Sequence, residues 1–151
     1  MLRRPFVIVI MAAGIVLATS AYAVAQTEAT AAPETGYASV NGLEMYYEIR
    51  GAGEPLILLH GGLGGIVEFS QLLPLLAETR QVIAVELQGH GRTADIDRPL
   101  SYELMADDVA ALIQGLGYES AAVMGFSLGG GVALEPARER GPRRLADGDA
   151  L

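Results

Sequence analysis

The sequence predicts an α/β domain with a mostly parallel sheet. Short continuous apolar runs at 55–59, 81–85 and 121–126 have the character of strands covered on both faces. Segments with helical apolar spacing lie at 67–79 and 101–115, between those runs. An antiparallel pair precedes them. Strands followed by strand–helix alternation make an α/β domain rather than a sandwich or a bundle.

The antiparallel pair begins at Tyr37 and turns at Asn41-Gly42, two residues that tolerate positive φ and so favour a tight hairpin. Gly51 to Gly53 ends its second strand. Pro55 to Leu59 is the first buried strand. Phe69, Leu72, Leu73, Leu76 and Ala77 then share one helix face, with Ser70 and Pro74 near the helix start. Gln81 to Val85 is the second buried strand. Leu104, Met105, Val109, Leu112 and Ile113 form the apolar face of the next helix, which Gly115 or Gly117 ends. Ala121 to Phe126 is the third buried strand and leads into a serine flanked by glycines.

Composition narrows the function classes. The net charge is −8, and all 10 basic residues are arginines. That balance argues against nucleic-acid binding, which calls for basic patches. There is no cysteine, so disulfides and thiolate metal sites are excluded. The N-terminus predicts export. Arg3 and Arg4 precede an apolar run from Phe6 to Ala18, and small residues at Ala21, Ala23 and Ala25 suit cleavage after Ala23 or Ala25. Residues 1–25 are therefore expected to be a signal peptide, with an uncleaved membrane anchor as the alternative. If the signal is cleaved, no stable membrane association is expected. Residues 26–36 are small and polar and have the composition of a leader.

Sites in open α/β sheets lie at the carboxyl ends of the strands. Three motifs fall there. Gly125-Phe126-Ser127-Leu128-Gly129 fits G-x-S-x-G, in which a strand turns sharply into a helix and exposes a hydroxyl. His60 to Gly65 is rich in glycine, which lets main chain approach a substrate oxygen. A backbone N–H at Gly62, or at Leu63, could pair with that of Leu128 to hold an oxyanion. Gly89-His90-Gly91 follows the second strand. His60 and His90 are expected to be turn residues bonded to backbone rather than ligands or bases. Glu103, Asp107 and Asp108 are expected on a solvated helix face. A phosphate loop is excluded because no Gly-Lys-Ser/Thr occurs, and G-x-G-x-x-G fails at Val67 and at Leu134.

Together these stretches resemble the α/β-hydrolase superfamily over about residues 37–134. The resemblance implies the N-terminal part of that fold, with helices on both faces of the sheet. It implies Ser127 as nucleophile, Leu128 and Gly62 as oxyanion donors, a small-molecule acyl substrate, and neither metal nor cofactor. Members that open epoxides or remove halides use Asp at the elbow, and this chain has Ser. Most relatives have Asp where this chain has Glu86.

The resemblance also implies a catalytic Asp or Glu and then His after the serine, yet His60 and His90 both precede Ser127. Residues 135–151 lack Ile, Val, Phe, Met and Tyr, and Pro136 is expected to interrupt the helix after the elbow. The expectation is a truncated or frameshifted product with a disordered tail, inactive or weakly active as this chain. A non-catalytic binding domain of the same fold is the alternative.

Overall fold

The computed structural model describes residues 32–139, with side chains described through Glu135. The expected signal peptide and the end of the tail lie outside the described residues. Five strands form one sheet in the order β1-β2-β4-β3-β5. They are β1 (Glu34–Val40), β2 (Leu43–Arg50), β3 (Pro55–Leu59), β4 (Gln81–Val85) and β5 (Ala122–Gly125). The helices are α1 (Leu72–Ala77), α2 (Tyr102–Gly115) and α3 (Leu128–Glu139). Among the described residues, no helix is long and apolar enough to cross a membrane.

The hairpin forms as its turn dictates. Asn41 and Gly42 take φ of 49° and 84°, and β1 pairs with β2 from Val40↔Leu43 outward. β2 pairs antiparallel with β4, while β4–β3 and β3–β5 are parallel. Leu59 is in register with both Val85 and Gly125. The carboxyl ends of β3, β4 and β5 therefore stop at one level, and the loops that follow them share one rim of the sheet.

Alternation along the strands divides the core. Ile57, Leu59, Ile83 and Val85 point to one face and pack with Met105, Val109 and Leu112 of α2 and Val132 of α3. Leu56, Leu58, Val82 and Ala84 point to the other, under Phe69 and Leu73. A period of two in the strands thus meets helices on both faces, as in doubly covered sheets. Ser101 caps α2 by accepting from the Leu104 N–H at 3.2 Å. Beyond its last turn, the Tyr118 N–H reaches the Ile113 carbonyl at 3.1 Å and the Gly117 N–H reaches that of Gln114 at 3.0 Å. This is a Schellman closure, and Gly117 supplies its positive φ of 85°.

Four elements differ from expectation. β1 starts at Glu34, inside the expected leader of residues 26–36, because Glu34 to Gly36 find partners at Ile49 to Tyr47 of β2. The segment 67–79 is a 3₁₀ turn (Ile66–Phe69) followed by the short α1. A helix running straight through would press the Pro74 ring against the Ser70 carbonyl, so the chain breaks between them. The expected core residues Phe69 and Leu73 are nonetheless buried. β5 is shorter than expected and is not covered on both faces: Val123 and Met124 are 38% and 42% exposed. It lies at the sheet edge, paired only with β3 among the described strands, so fewer groups pack on it. Pro136 does not interrupt α3, which runs to Glu139. Proline inside a helix removes one N–H bond and crowds the carbonyl four residues back, at about 3 kcal/mol, but it can kink a helix rather than end it.

Candidate active site

The elbow is held by the close passage of three backbones. β5 ends at Gly125 and α3 starts at Leu128, leaving Ser127 at the turn with φ of 50°. That left-handed geometry is costly for a residue with a Cβ, and persists only where the surroundings fix it. The surroundings here are specific. The Phe126 N–H donates to the Leu59 carbonyl at 3.0 Å, and the Gly129 N–H donates to the His60 carbonyl at 3.0 Å. A Cβ on Gly125 would overlap the Gly129 carbonyl, and one on Gly129 would lie 2.6 Å from the Leu59 Cβ. Both flanking glycines are thus required by close backbone approach, and Ser127 is left exposed.

The loop after β3 comes to the same place. A Cβ built on Gly62 would stand 3.8 Å from the Leu128 Cβ, so the two expected oxyanion donors are neighbours. No protein atom forbids a side chain at Gly62; glycine there leaves open space. The loop is pinned from behind. Glu68 accepts from the Gly61 N–H at 2.9 Å, and its carboxylate fills the space where Gly64 would carry a side chain. Leu63 takes φ of 64° at the loop tip and is fully exposed. As the first residue of α3, Leu128 has an N–H without an intrahelical acceptor.

Both histidines serve backbone. His60 is wholly buried. Its Nδ1 lies 2.7 Å from the Gly61 carbonyl, and its Nε2 accepts from the Leu87 N–H at 3.1 Å. Those two bonds assign the neutral tautomer with the proton on Nδ1. Burial lowers its pKa from the ordinary histidine value, opposed by the Gly61 carbonyl and reinforced by His90. The His90 Nδ1 lies 2.8 Å from the Gln88 carbonyl. Among the described residues, no hydrogen bond joins either ring to Ser127.

Two polar clusters were not legible in the sequence. Asp108 is no solvated residue: it is wholly buried, paired with Arg98, and accepts from Asn41 Nδ2 at 3.0 Å. It thereby ties α2 to the β1–β2 turn. Glu103 and Asp107 are exposed, as expected of that helix face. Glu86 is also buried. It accepts from Arg92 Nε at 3.0 Å and Nη2 at 2.8 Å, while Arg92 Nη1 reaches Glu48 at 3.1 Å. The guanidinium carbon lies 3.7 Å from the Tyr46 ring centroid. Burial pushes the Glu86 pKa up, but hydrogen bonds from the Arg92 side chain and backbone outweigh this and leave it lowered. An acid ending an apolar strand was the available signal, but its partner could not be read from spacing.

A cleft of about 250 Å³ lies beside that cluster, lined by Arg50, Arg92, Ile66 and Leu73 among others; none of its lining residues belongs to the elbow. Among the described residues, no group of three or more His, Asp or Glu is placed to hold a metal.

A family model described as the alpha/beta hydrolase fold matches residues 54–146. The chain belongs to the α/β-hydrolase family. The matched span runs past Leu134, where the composition shifts. A soluble epoxide hydrolase of Corynebacterium sp. is 40% identical over 100 residues, covering 64% of this chain and 34% of that protein. A non-heme haloperoxidase of Rhodococcus erythropolis is 34% identical over 107 residues, covering 70% and 39% respectively. Among solved α/β-hydrolase structures, the epoxide hydrolase CorEH superposes with a TM-score of 0.68 at 36% identity, covering 72% of this chain and 38% of that one. An enol-lactonase from Burkholderia xenovorans superposes with a TM-score of 0.62 at 27% identity, covering 65% and 40%. The chain thus spans between 34% and 40% of the length of these relatives.

Proposed function

We propose that this α/β-hydrolase is of the serine-nucleophile type and works by acyl transfer on a small-molecule ester, amide or related acyl substrate. One observation carries the reading: Ser127 is held at positive φ at the end of β5, and Leu128, the next residue, lies against Gly62. The Ser127 hydroxyl attacks a carbonyl, and N–H groups at Leu128 and Gly62 stabilise the oxyanion. The tetrahedral intermediate collapses with loss of the alcohol or amine, which takes up the serine's proton, and water then hydrolyses the acyl-serine to the free acid and Ser127.

The relatives include an epoxide hydrolase, and the chemistry of residue 127 argues against that activity here. Opening an epoxide is a displacement at saturated carbon. A serine would leave an ether, which water does not cleave, whereas a carboxylate leaves a hydrolysable ester. Ser127 suits attack at a carbonyl instead.

A serine needs a base. Both histidines of the 151 residues are engaged with backbone, and among the described residues neither is bonded to Ser127. The 151-residue chain is therefore proposed to acylate slowly and to turn over weakly or not at all. A non-catalytic binding role for the loops at the elbow is the second reading, favoured by those engaged rings. Treatment with a fluorophosphonate and peptide mapping separates the two. Modification of Ser127 supports acyl transfer, and its absence supports binding alone.

The charged, apolar and small-residue order of residues 1–25 supports export, with a periplasmic or extracellular location. N-terminal sequencing of chain recovered outside the cytoplasm tests this: Gln26 or Val24 as the first residue supports cleavage, and Met1 as the first residue contradicts it.

A further inference from the structure

His60 touches both loops flanking the site, as does the Glu86 carboxylate, which faces Gly65 and bonds Arg92. His60 itself starts the 60–65 loop, its Nδ1 is bonded to the Gly61 carbonyl, and its Nε2 holds the Leu87 N–H just past β4. Its carbonyl also takes the Gly129 N–H behind the elbow. The ring is wholly buried, so water cannot replace either bond.

The chemistry of that arrangement has one weak point. Nε2 is an acceptor. A proton placed there turns it into a donor aimed at the Leu87 N–H, another donor, and the bond becomes a repulsion. The titratable groups facing the ring are His90, whose ring centroid is 5.0 Å away, and the carboxylates of Glu68 and Glu86. His90 opposes a second positive charge. Glu68 and Glu86 favour one, but they are committed to the Gly61 N–H and to Arg92.

We propose that His60 is a proton-operated positioning residue: its neutral ring clamps the 60–65 loop to the end of β4, and protonation at Nε2 releases that loop. The inference rests on the reading of Gly62 as an oxyanion donor for its consequence in catalysis, but the clamp itself does not. The loop keeps its carbonyl bond to the Gly129 N–H, so release loosens the Gly62 N–H rather than displacing it, and acid would weaken acylation of Ser127 without touching the serine.

The test is an NMR titration of the ¹⁵N-labelled chain from about pH 8 to about pH 4, observing the imidazole nitrogens and the amides of Gly62, Leu63 and Leu87. The expected result is one shared midpoint for the His60 ring and these amides, below the ordinary histidine value of about 6.5. His60→Gln keeps an amide oxygen to accept from Leu87 and cannot titrate, so the shared midpoint should vanish. His90→Gln should leave it in place. The proposal is overturned if the three amides follow the His90 ring, if their midpoint is lost in His90→Gln, or if it persists in His60→Gln. Should His60→Gln fail to fold, the ring signals of the unmodified chain and the His90→Gln titration still decide between these outcomes. Fluorophosphonate labelling is scored separately. A shared midpoint without labelling at Ser127 removes the acyl-transfer reading and leaves the clamp.

Discussion

The Gly129 N–H donates to the His60 carbonyl oxygen at 3.0 Å, joining the helix behind the elbow to the loop that begins after β3. The serine turn and the 60–65 loop are therefore one mechanical unit. Neither can shift without breaking a bond to the other, and this fixes Leu128 beside Gly62.

Gly129→Ala should break that unit. The new methyl would overlap the Leu59 carbonyl and press on its Cβ at 2.6 Å, and backbone cannot move aside cheaply. A loss at or above the upper end of the usual overpacking cost of about 1–3 kcal/mol is expected. Urea unfolding measures it. Gly130→Ala is the matched control, since a methyl there meets nothing closer than 3.4 Å.

Strain at Ser127 can be read from two substitutions. Ala keeps the Cβ that disfavours φ of 50°, and Gly does not. Ser127→Gly should therefore be more stable than Ser127→Ala by about 1 kcal/mol. Equal melting temperatures for the pair would show that the turn is unstrained.

Asp108→Ala should be among the most destabilising substitutions away from the elbow. It leaves Arg98 without its buried counter-ion and Asn41 without an acceptor. Breaking such a pair typically costs about 3–5 kcal/mol. The double variant with Arg98→Ala should lose less than the sum of the two singles, which a double-mutant cycle measures.

The Glu86 cluster predicts an acid limb. The folded pKa of Glu86 is lowered, so its contribution is present above the unfolded value and is lost as pH falls through the folded one. Stability should therefore drop below about pH 4.5. Glu86→Gln should be less stable at neutral pH and show a shallower drop. His60 adds a separate loss at higher pH. Its lowered folded pKa means that the unfolded chain takes up the proton first, so stability falls as pH drops below about 6.5.

The fold was legible where local chemistry decides it. Asn41-Gly42 acts through its own backbone and sits where the pattern placed the hairpin turn, and of Gly115 and Gly117, the two ends offered for α2, Gly117 takes the positive φ. The elbow was legible because only glycine fits at 125 and 129, and that requirement is written in the letters themselves. Asp108 and Glu86 were not, because their burial depends on Arg98 and Arg92 arriving from loops. Charge on a helix has the same pattern whether it faces water or a buried arginine. Pro136 misled because an interior proline can kink a helix as well as end it, and α3 runs through it to Glu139. The exposure of β5 depends on which strands flank it, which apolar content alone does not record.

Reaction of Ser127 with a fluorophosphonate, followed by intact mass and peptide mapping, tests the central claim most directly. The account predicts slow, single-site modification at Ser127, faster than at the exposed Ser39, Ser70 and Ser120, and its loss in Ser127→Ala. Modification of Ser127 no faster than of those three serines would contradict it.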